Sequence, residues 1–321
     1  MNWSISKAKM FSDCQRKWFY SEIMASKHSK DIDRYEAYIL KQLGSIHSWR
    51  GKLVDYIIEI LLVPEFNYNK IPPFNKIERL VSELMNKQLE FAKLRKYRDR
   101  KLTKKQAGNN FCALREIENS EGLENGAVEE IKEQVITSLK NLLHSELMEI
   151  LVDPNTVLVA QKNLRYRFQE FNIISRPDLI VYFKDNPPMI IDWKVYFHRK
   201  DNAWMQLGSY AIALTECISE DPFQKIIDDP TEIKLIEYQL LRNVQKNYKL
   251  TTSDVFNIKE YINNSSRAMD ELVKNRKYHG LDFNQFEMAK DSESCEYCNF
   301  RRLCKNKKVI YQVNLMKFIK D

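Results

Sequence analysis

The sequence predicts an α/β fold in which a mostly helical first half leads into a strand-rich second half. Three observations carry this. Apolar residues recur at helical spacing up to about residue 151, β-branched and aromatic runs take over from about residue 155, and strand and helix patterns alternate thereafter.

Residues 4–24 read as a helix that Ser4 or Ser6 can cap, with Phe11, Cys14, Trp18 and Phe19 at helical spacing. Residues 32–62 read as one or two further helices ending before Pro64, and KIPPFNK is a break. Helical patterns return at 75–99 and 126–151, with a polar, glycine-bearing stretch near 106–126 between them. TVLVAQKNLRYRF, FNIISRPDLIVYF and PMIIDWKVYF predict a meander of three strands, with KDNPP a hairpin-type turn between the last two. Residues 202–218 read as an amphipathic helix, EIKLIEYQLL as a strand and DVFNIKEYINNSSRAMDELVKN as a long helix, before a cysteine-rich tail. The expected organisation is one domain over residues 1–321 with a largely helical insertion at about 63–154.

Composition narrows the function. The chain has 321 residues, 44% apolar and 30% charged, which reads as soluble and globular. No apolar run approaches the roughly 20 residues that span a bilayer, and the N-terminal stretch lacks the apolar core of a secretory signal. A cytoplasmic protein is expected. Thiols are reduced there, so clustered cysteines suggest a metal rather than disulfides. The formal charge of +7 favours a polyanionic partner over an acidic one, although a solvated surface accounts for it equally well.

Two strand ends hold the candidate chemistry. Asp178 follows Pro177 at the start of DLIVYF; Asp192 ends an apolar run, with Lys194 two places later. Side chains alternate along a strand, so Asp192 and Lys194 share a face, and a hairpin brings Asp178 to it. Two carboxylates and a lysine suit phosphodiester hydrolysis. Carboxylates bind Mg²⁺ or Mn²⁺, the metal lowers the pKa of a bound water, and the lysine orients that water or stabilises developing charge. The competing reading is a surface Asp–Lys pair worth under ~1 kcal/mol.

RPDLIVYFKDNPPMIIDWKV resembles the core of the PD-(D/E)XK nuclease superfamily, nearly letter for letter. QLGSYAIAL resembles the Gln-x-x-x-Tyr helix of its RecB-like branch, with Gln206 and Tyr210 one turn apart on one face. GKLVDYIIE resembles that branch's Gly-x-x-x-His-x-x-x-Glu motif: Gly51 and Glu59 match, and Asp55 stands at the histidine's position. The resemblance covers roughly residues 1–62 and 155–305. It implies a restriction-endonuclease-like mixed sheet flanked by helices, with an N-terminal helical region and a cysteine-rich C-terminal tail closing on the N-terminus. It further implies a divalent metal on Asp178, Asp192 and Asp55 with the Trp193 backbone carbonyl, His47 being the second choice to Asp55. Lys194 is then catalytic, and Gln206 and Tyr210 orient substrate or neighbouring groups. Gln161 stands where relatives often carry Glu, which puts a fully loaded two-metal site in question. Without the family, Trp204 and Tyr210 read equally well as core aromatics, and His28, His144, His198 and His279 as structural.

Cys295, Cys298 and Cys304 fall within ten residues, and a tetrahedral metal site or a cubane cluster wants a fourth ligand. Cys217 reads as a buried small hydrophobe, and Cys112 falls in the insertion. Cys14, in CQRKWFY, resembles the N-terminal cysteine segment of iron–sulfur RecB-like nucleases, such as AddB nuclease domains and CRISPR-associated adaptation exonucleases, whose C-terminal spacing is Cys-x-x-Cys-x5-Cys. The resemblance implies a 4Fe–4S cluster on Cys14, Cys295, Cys298 and Cys304, a clasp between about 4–24 and 290–308. Zn²⁺ on the same thiolates is the alternative.

KLRKYRDRKLTKK brings Arg95, Lys96, Arg98, Arg100, Lys101, Lys104 and Lys105 together around Tyr97; with Arg301 and Arg302 these are the candidate DNA contacts, Tyr97 by stacking on a base. The competing reading is a solvated helix end and loop. No Walker A pattern occurs, so the chain carries no helicase motor, though a helicase or other subunit is a conceivable partner. The expected function is a Mg/Mn-dependent deoxyribonuclease, exonucleolytic on single strands or DNA ends, in DNA repair or antiviral defence. The alternatives are a degenerate nuclease fold that binds DNA as a scaffolding subunit, and an RNA-directed enzyme.

Overall fold

The computed structural model describes residues 2–119, 122–196, 203–217, 221–274, 276 and 278–305. Among the described residues, eight strands form two sheets. A five-stranded sheet has the order β2 (Thr156–Ala160), β5 (Leu179–Phe183), β6 (Met189–Lys194), β7 (Lys234–Gln239), β8 (Val244–Tyr248). All neighbours are antiparallel except β6 and β7, which run parallel with Asp192 opposite Glu237 and Lys194 opposite Gln239. A parallel pair needs a crossover, and the helix Trp204–Glu216 lies between these strands in sequence. A smaller sheet joins β1 (Asn2–Trp3), β4 (Phe171–Ser175) and β3 (Leu164–Phe168), in that order.

The expected three-strand meander is therefore five strands on two sheets. Gln161 takes φ 51° and breaks the first run after β2; Gln169, also at φ 51°, turns β3 back on β4. Pro177, without an N–H to offer a ladder, separates β4 from β5. The helical expectation past residue 62 also changes. Ile58–Leu62 is a π-helical turn and the chain continues as helix through Val63–Asn67. Pro64 falls where the π-turn gives way to α-helix, as the second residue of Val63–Asn67.

The large sheet separates two apolar cores. Ile180, Tyr182, Ile190 and Leu235 face the first, with the helices Trp204–Glu216 and Thr252–Val273 and the N-terminal segment. Leu179, Val181, Ile191, Trp193 and Ile236 face the second, with Ile46–Ile57, Phe74–Lys93 and Ala127–Leu143. The last two of these helices belong to the stretch 63–154, so that stretch covers one face of the sheet. Gly208 lets Trp204–Glu216 pack tightly on Thr252–Val273, since a Cβ there would collide with Ile258.

The tail meets the N-terminus through the chain itself. Arg16 donates Nε to the Phe286 carbonyl at 2.9 Å and its N–H to Glu287 O at 3.1 Å, and Tyr20 stacks on Phe300. Asn299 Nδ2 reaches the Leu40 and Leu43 carbonyls. Part of the expected clasp, residues 306–308, lies outside the described residues. Among the described residues no helix is long and apolar enough to cross a membrane.

Gly51 offers a test of the helix that carries Asp55. It sits inside Ile46–Ile57, and a Cβ there would meet nothing within 4 Å. Glycine costs about 0.5–1 kcal/mol relative to alanine at such a position. Gly51→Ala should stabilise the protein by that amount in a chemical denaturation curve; a loss of stability would mean that another chain must approach this point.

Candidate active site

Strand alternation builds the floor of the site. Along β6, Met189, Ile191 and Trp193 enter one core, which leaves Ile190, Asp192 and Lys194 on the other face. Asp192 is only 1% exposed. Its Oδ2 is in close ion-pair contact with Lys194 Nζ and has no hydrogen-bond donor of ordinary geometry; its Oδ1 accepts from Gln206 Nε2 at 3.1 Å. Gln206 also donates to Tyr210 Oη at 2.6 Å and lies 3.5 Å from Lys194 Nζ through Oε1. The one-turn spacing of Gln206 and Tyr210 thus sets both over the Asp192–Lys194 pair.

Asp178 enters from the start of β5. Its Oδ2 accepts the Trp193 N–H at 2.9 Å, and its Oδ1 accepts Gln161 Nε2 at 2.9 Å. Gln161, where a glutamate was the family expectation, is therefore an orienting amide on Asp178. Asp55 approaches from Ile46–Ile57. That helix is pinned to the end of β6 by Arg50, 5% exposed, which donates to the Val195 carbonyl and to Gln134. Glu59, one turn on, faces Arg176 at 3.9 Å. His47 is exposed in the first turn of the helix. Two turns, about 12 Å along the axis, separate it from Asp55, so of the two the structure brings only Asp55 to the acidic centre.

Electrostatics follow from this burial. Desolvation, with the neighbouring Asp192 charge, pushes the Asp55 carboxyl up to about 7. Burial and Asp55 raise Asp178 to about 6 against the opposing pull of Lys194, the Trp193 N–H and Gln161. Burial and Asp178 raise Asp192 to about 7. Burial pulls Lys194 down, but Asp192 and Asp178 outweigh it, so the ammonium is held above its usual range. Burial, then Asp192, pushes the Tyr210 hydroxyl up. Three carboxylates share one ammonium, and Asp192 Oδ2 lacks a hydrogen-bond donor of ordinary geometry. An all-oxygen donor set with surplus negative charge fits a hard divalent cation. As arranged, no three His, Cys, Asp or Glu side chains among the described residues converge into a ready ligand cage.

These shifts predict a pH dependence. Each carboxyl binds its proton more tightly folded than unfolded, so the contribution to stability is full below about pH 4 and is lost as pH rises through about 6 to 7. Metal-free protein should lose stability across that window, and Mn²⁺ should restore it at the alkaline end. Denaturation midpoints with and without EDTA check this; a midpoint insensitive to Mn²⁺ at pH 8 would contradict it.

One acid escaped the sequence reading. Glu237, 0% exposed, sits beside Asp192 across the parallel β6–β7 ladder and accepts from Gln239 Nε2 at 2.6 Å and Tyr248 Oη at 3.0 Å, with Lys246 Nζ 3.8 Å away. The alternation in KLIEYQ marks Glu237 and Gln239 as sharing a face, but only the strand pairing shows that the face is that of Asp192.

The four cysteines of the expected cluster border a single cavity, although as arranged no three of them are grouped to hold a metal. Cys14, Cys295, Cys298 and Cys304 line one cavity of about 910 Å³, together with Arg16 and Lys17. Cys14 falls between the helices Ile5–Asp13 and Gln15–Trp18, where its Sγ accepts the Lys17 N–H at 3.4 Å; Arg16 Nη1 lies 4.0 Å from Cys304 Sγ. Burial raises the Cys298 and Cys304 thiols, Lys17 and Arg16 pull them back, and Cys14 and Cys295 push them up again. None of the six cysteines is in a disulfide. Cys112 is buried in the second core. Cys217 is half-buried at a helix end and donates to Arg165 O at 3.4 Å, rather than sitting in the core as expected.

The basic run is largely structural. Tyr97 is 4% exposed with its hydroxyl donating to Glu118 at 2.7 Å, so it presents no face to a base. Arg98 pairs with Glu36 and Glu118, Arg95 donates to Ile117 O, Arg100 lies over Tyr35 and Lys104 over Phe111. Distant glutamates and aromatics, invisible in a local window, claim these cations. Lys96, Lys101, Lys105, Arg301 and Arg302 are exposed. Of the histidines, His28 is exposed, His144 bonds Lys140 O and His279 packs on Tyr278, while His198 lies outside the described residues. Trp204 packs against the first core.

No curated protein matches the chain. The family model of the PD-(D/E)XK nuclease superfamily matches residues 2–305, and it is on β5, β6 and the crossover helix that the acidic centre stands. The chain belongs to the PD-(D/E)XK nuclease superfamily, whose members are in general phosphodiester-hydrolysing nucleases, usually with Mg²⁺ or Mn²⁺.

Proposed function

We propose that the chain is a divalent-metal-dependent deoxyribonuclease. The observation that carries this is the buried Asp192–Lys194 pair on β6, with Asp178 beside it and Gln206 bridging to Tyr210. A buried ion pair of this kind costs desolvation energy, and a structural strand would gain more from apolar residues there. Asp178, Asp192 and Asp55 would hold Mg²⁺ or Mn²⁺, with the Trp193 carbonyl as a further oxygen by family resemblance. The metal supplies Lewis-acid polarisation of the phosphate and a more acidic water. Lys194 keeps its proton beside Asp192 and presents positive charge to the phosphate undergoing attack. Gln206 fixes the Asp192 carboxylate, and Gln161 fixes that of Asp178. Action on single strands or strand ends follows the RecB-like resemblance.

The four cysteines would hold a 4Fe–4S cluster. In support, four thiols from two distant segments share one cavity flanked by Arg16 and Lys17, whose charges partly offset the upward push of burial on the Cys298 and Cys304 thiols. The test of the enzymatic reading is digestion of linear, circular and single-stranded DNA, with RNA alongside, in Mg²⁺ or Mn²⁺ under anaerobic conditions. Salt-sensitive DNA binding without turnover in either metal would leave the scaffolding reading in its place.

A further inference from the structure

The nuclease reading leaves open how the nucleic acid reaches Lys194. A cavity of about 440 Å³ opens over the site, walled by Lys9, Asn163 and Arg176 and floored by Lys194 and Tyr210. No carboxylate lines it, although three lie beneath. Asn163 is also part of a second cavity of about 450 Å³ that runs along β3, where Lys162, Arg165 and Arg167 stand. Asn163 therefore borders both cavities.

β3 is the edge of the smaller sheet. Its Leu164 and Tyr166 are buried, while Arg165 and Arg167 are exposed, so both arginines project from one face about 7 Å apart. That separation is comparable with the phosphate repeat of an extended single strand. Nearby acids are engaged elsewhere: Glu216 pairs with Lys259 at 2.8 Å, and Glu170 faces Arg267 at 3.9 Å. Positive side chains in line, spaced like the phosphates of an extended strand and leading toward Lys194 above the three carboxylates, match what a single-strand track requires.

We propose that β3 and the two cavities form the binding track for a single-stranded nucleic-acid backbone. Arg165 and Arg167 hold successive phosphates, and the strand passes Asn163 to bring the next linkage over Lys194. What happens to that linkage rests on the nuclease reading; where the strand binds does not.

The test is fluorescence anisotropy of a short labelled oligothymidylate on the full chain carrying Asp192→Asn, in EDTA, so that binding is read without turnover. Arg165→Glu with Arg167→Glu should weaken binding roughly tenfold or more and lower the slope of log K against log salt by about 1.4, two phosphates at about 0.7 each. Both residues are exposed, so the fold should survive, which circular dichroism checks. Unchanged affinity and slope would overturn the track, as would a loss seen instead in Lys96→Glu with Lys101→Glu and Lys105→Glu. Wild-type protein that cleaves DNA in Mg²⁺ or Mn²⁺, while the arginine pair proves irrelevant to binding, refutes the track alone. Binding lost with the arginines, in a protein whose wild-type form never cleaves in Mg²⁺ or Mn²⁺, upholds the track and refutes the nuclease.

Discussion

Asp192→Asn should abolish metal-dependent DNA cleavage while leaving the protein folded. The loss should be on the order of 10³-fold or more, equivalent to about 4 kcal/mol of transition-state stabilisation. The amide keeps the volume of the carboxylate and can still meet Gln206, but it removes the charge that Lys194 and the metal both answer. Stability should move the other way at neutral pH, because a buried carboxylate repelled by Asp178 and Glu237 has gone. Lys194→Ala should also end cleavage but behave differently as a fold. Asp192 would be left 1% exposed and without its ammonium, a situation that typically costs about 3–5 kcal/mol. Acidification should relieve that cost as Asp192 takes a proton. The two variants, assayed for cleavage and for denaturation at pH 5 and pH 8, therefore separate chemistry from stability. Cleavage retained in both would refute the assigned centre.

Why this pair was legible in sequence, and its surroundings were not, comes down to range. Asp192 and Lys194 are two residues apart in an apolar strand, and strand geometry alone fixes them to one face. Asp178 needed only one further local inference, the KDNPP turn. Gln206 and Tyr210 needed the helical repeat and a family pattern. The features missed all depend on pairing between distant segments or on unusual backbone. Glu237 becomes Asp192's neighbour only through the parallel β6–β7 ladder. The second sheet exists because two glutamines, not glycines, take positive φ, and nothing in a single sequence marks a glutamine for that. β8 is exposed along most of its length, so VQKNY has no apolar alternation to betray a strand. Tyr97 and Arg98 looked like surface groups because Glu36 and Glu118, their partners, lie far off in sequence.

Cys14→Ser should bleach the protein. If the four thiols hold a cluster, fresh wild-type protein absorbs broadly near ~400 nm and contains iron and sulfide, and the variant should lose all three. Stability should fall as well. A link between residue 14 and the 295–304 segment closes nearly the whole chain, and crosslinks of that kind contribute roughly 2–5 kcal/mol by restricting the unfolded state. Not everything at the junction depends on it. Arg16 would still hold Phe286 O and Glu287 O, and Phe19 would still pack on Phe286 at 4.5 Å. The tail should therefore loosen beyond that anchor, in the segment carrying Cys295, Cys298 and Cys304, and limited proteolysis should cut there first. Cys112, buried in the other core, serves as comparison: Cys112→Ser perturbs packing but should leave iron content unchanged. Two results would count against the cluster. Colourless wild-type protein with one zinc per chain would put a zinc site in its place and keep the crosslink. Colourless, metal-free protein whose stability is indifferent to Cys14→Ser would remove both, leaving the closure to the aromatic and arginine contacts of residues 14–24 and the Asn299 hydrogen bonds to Leu40 and Leu43.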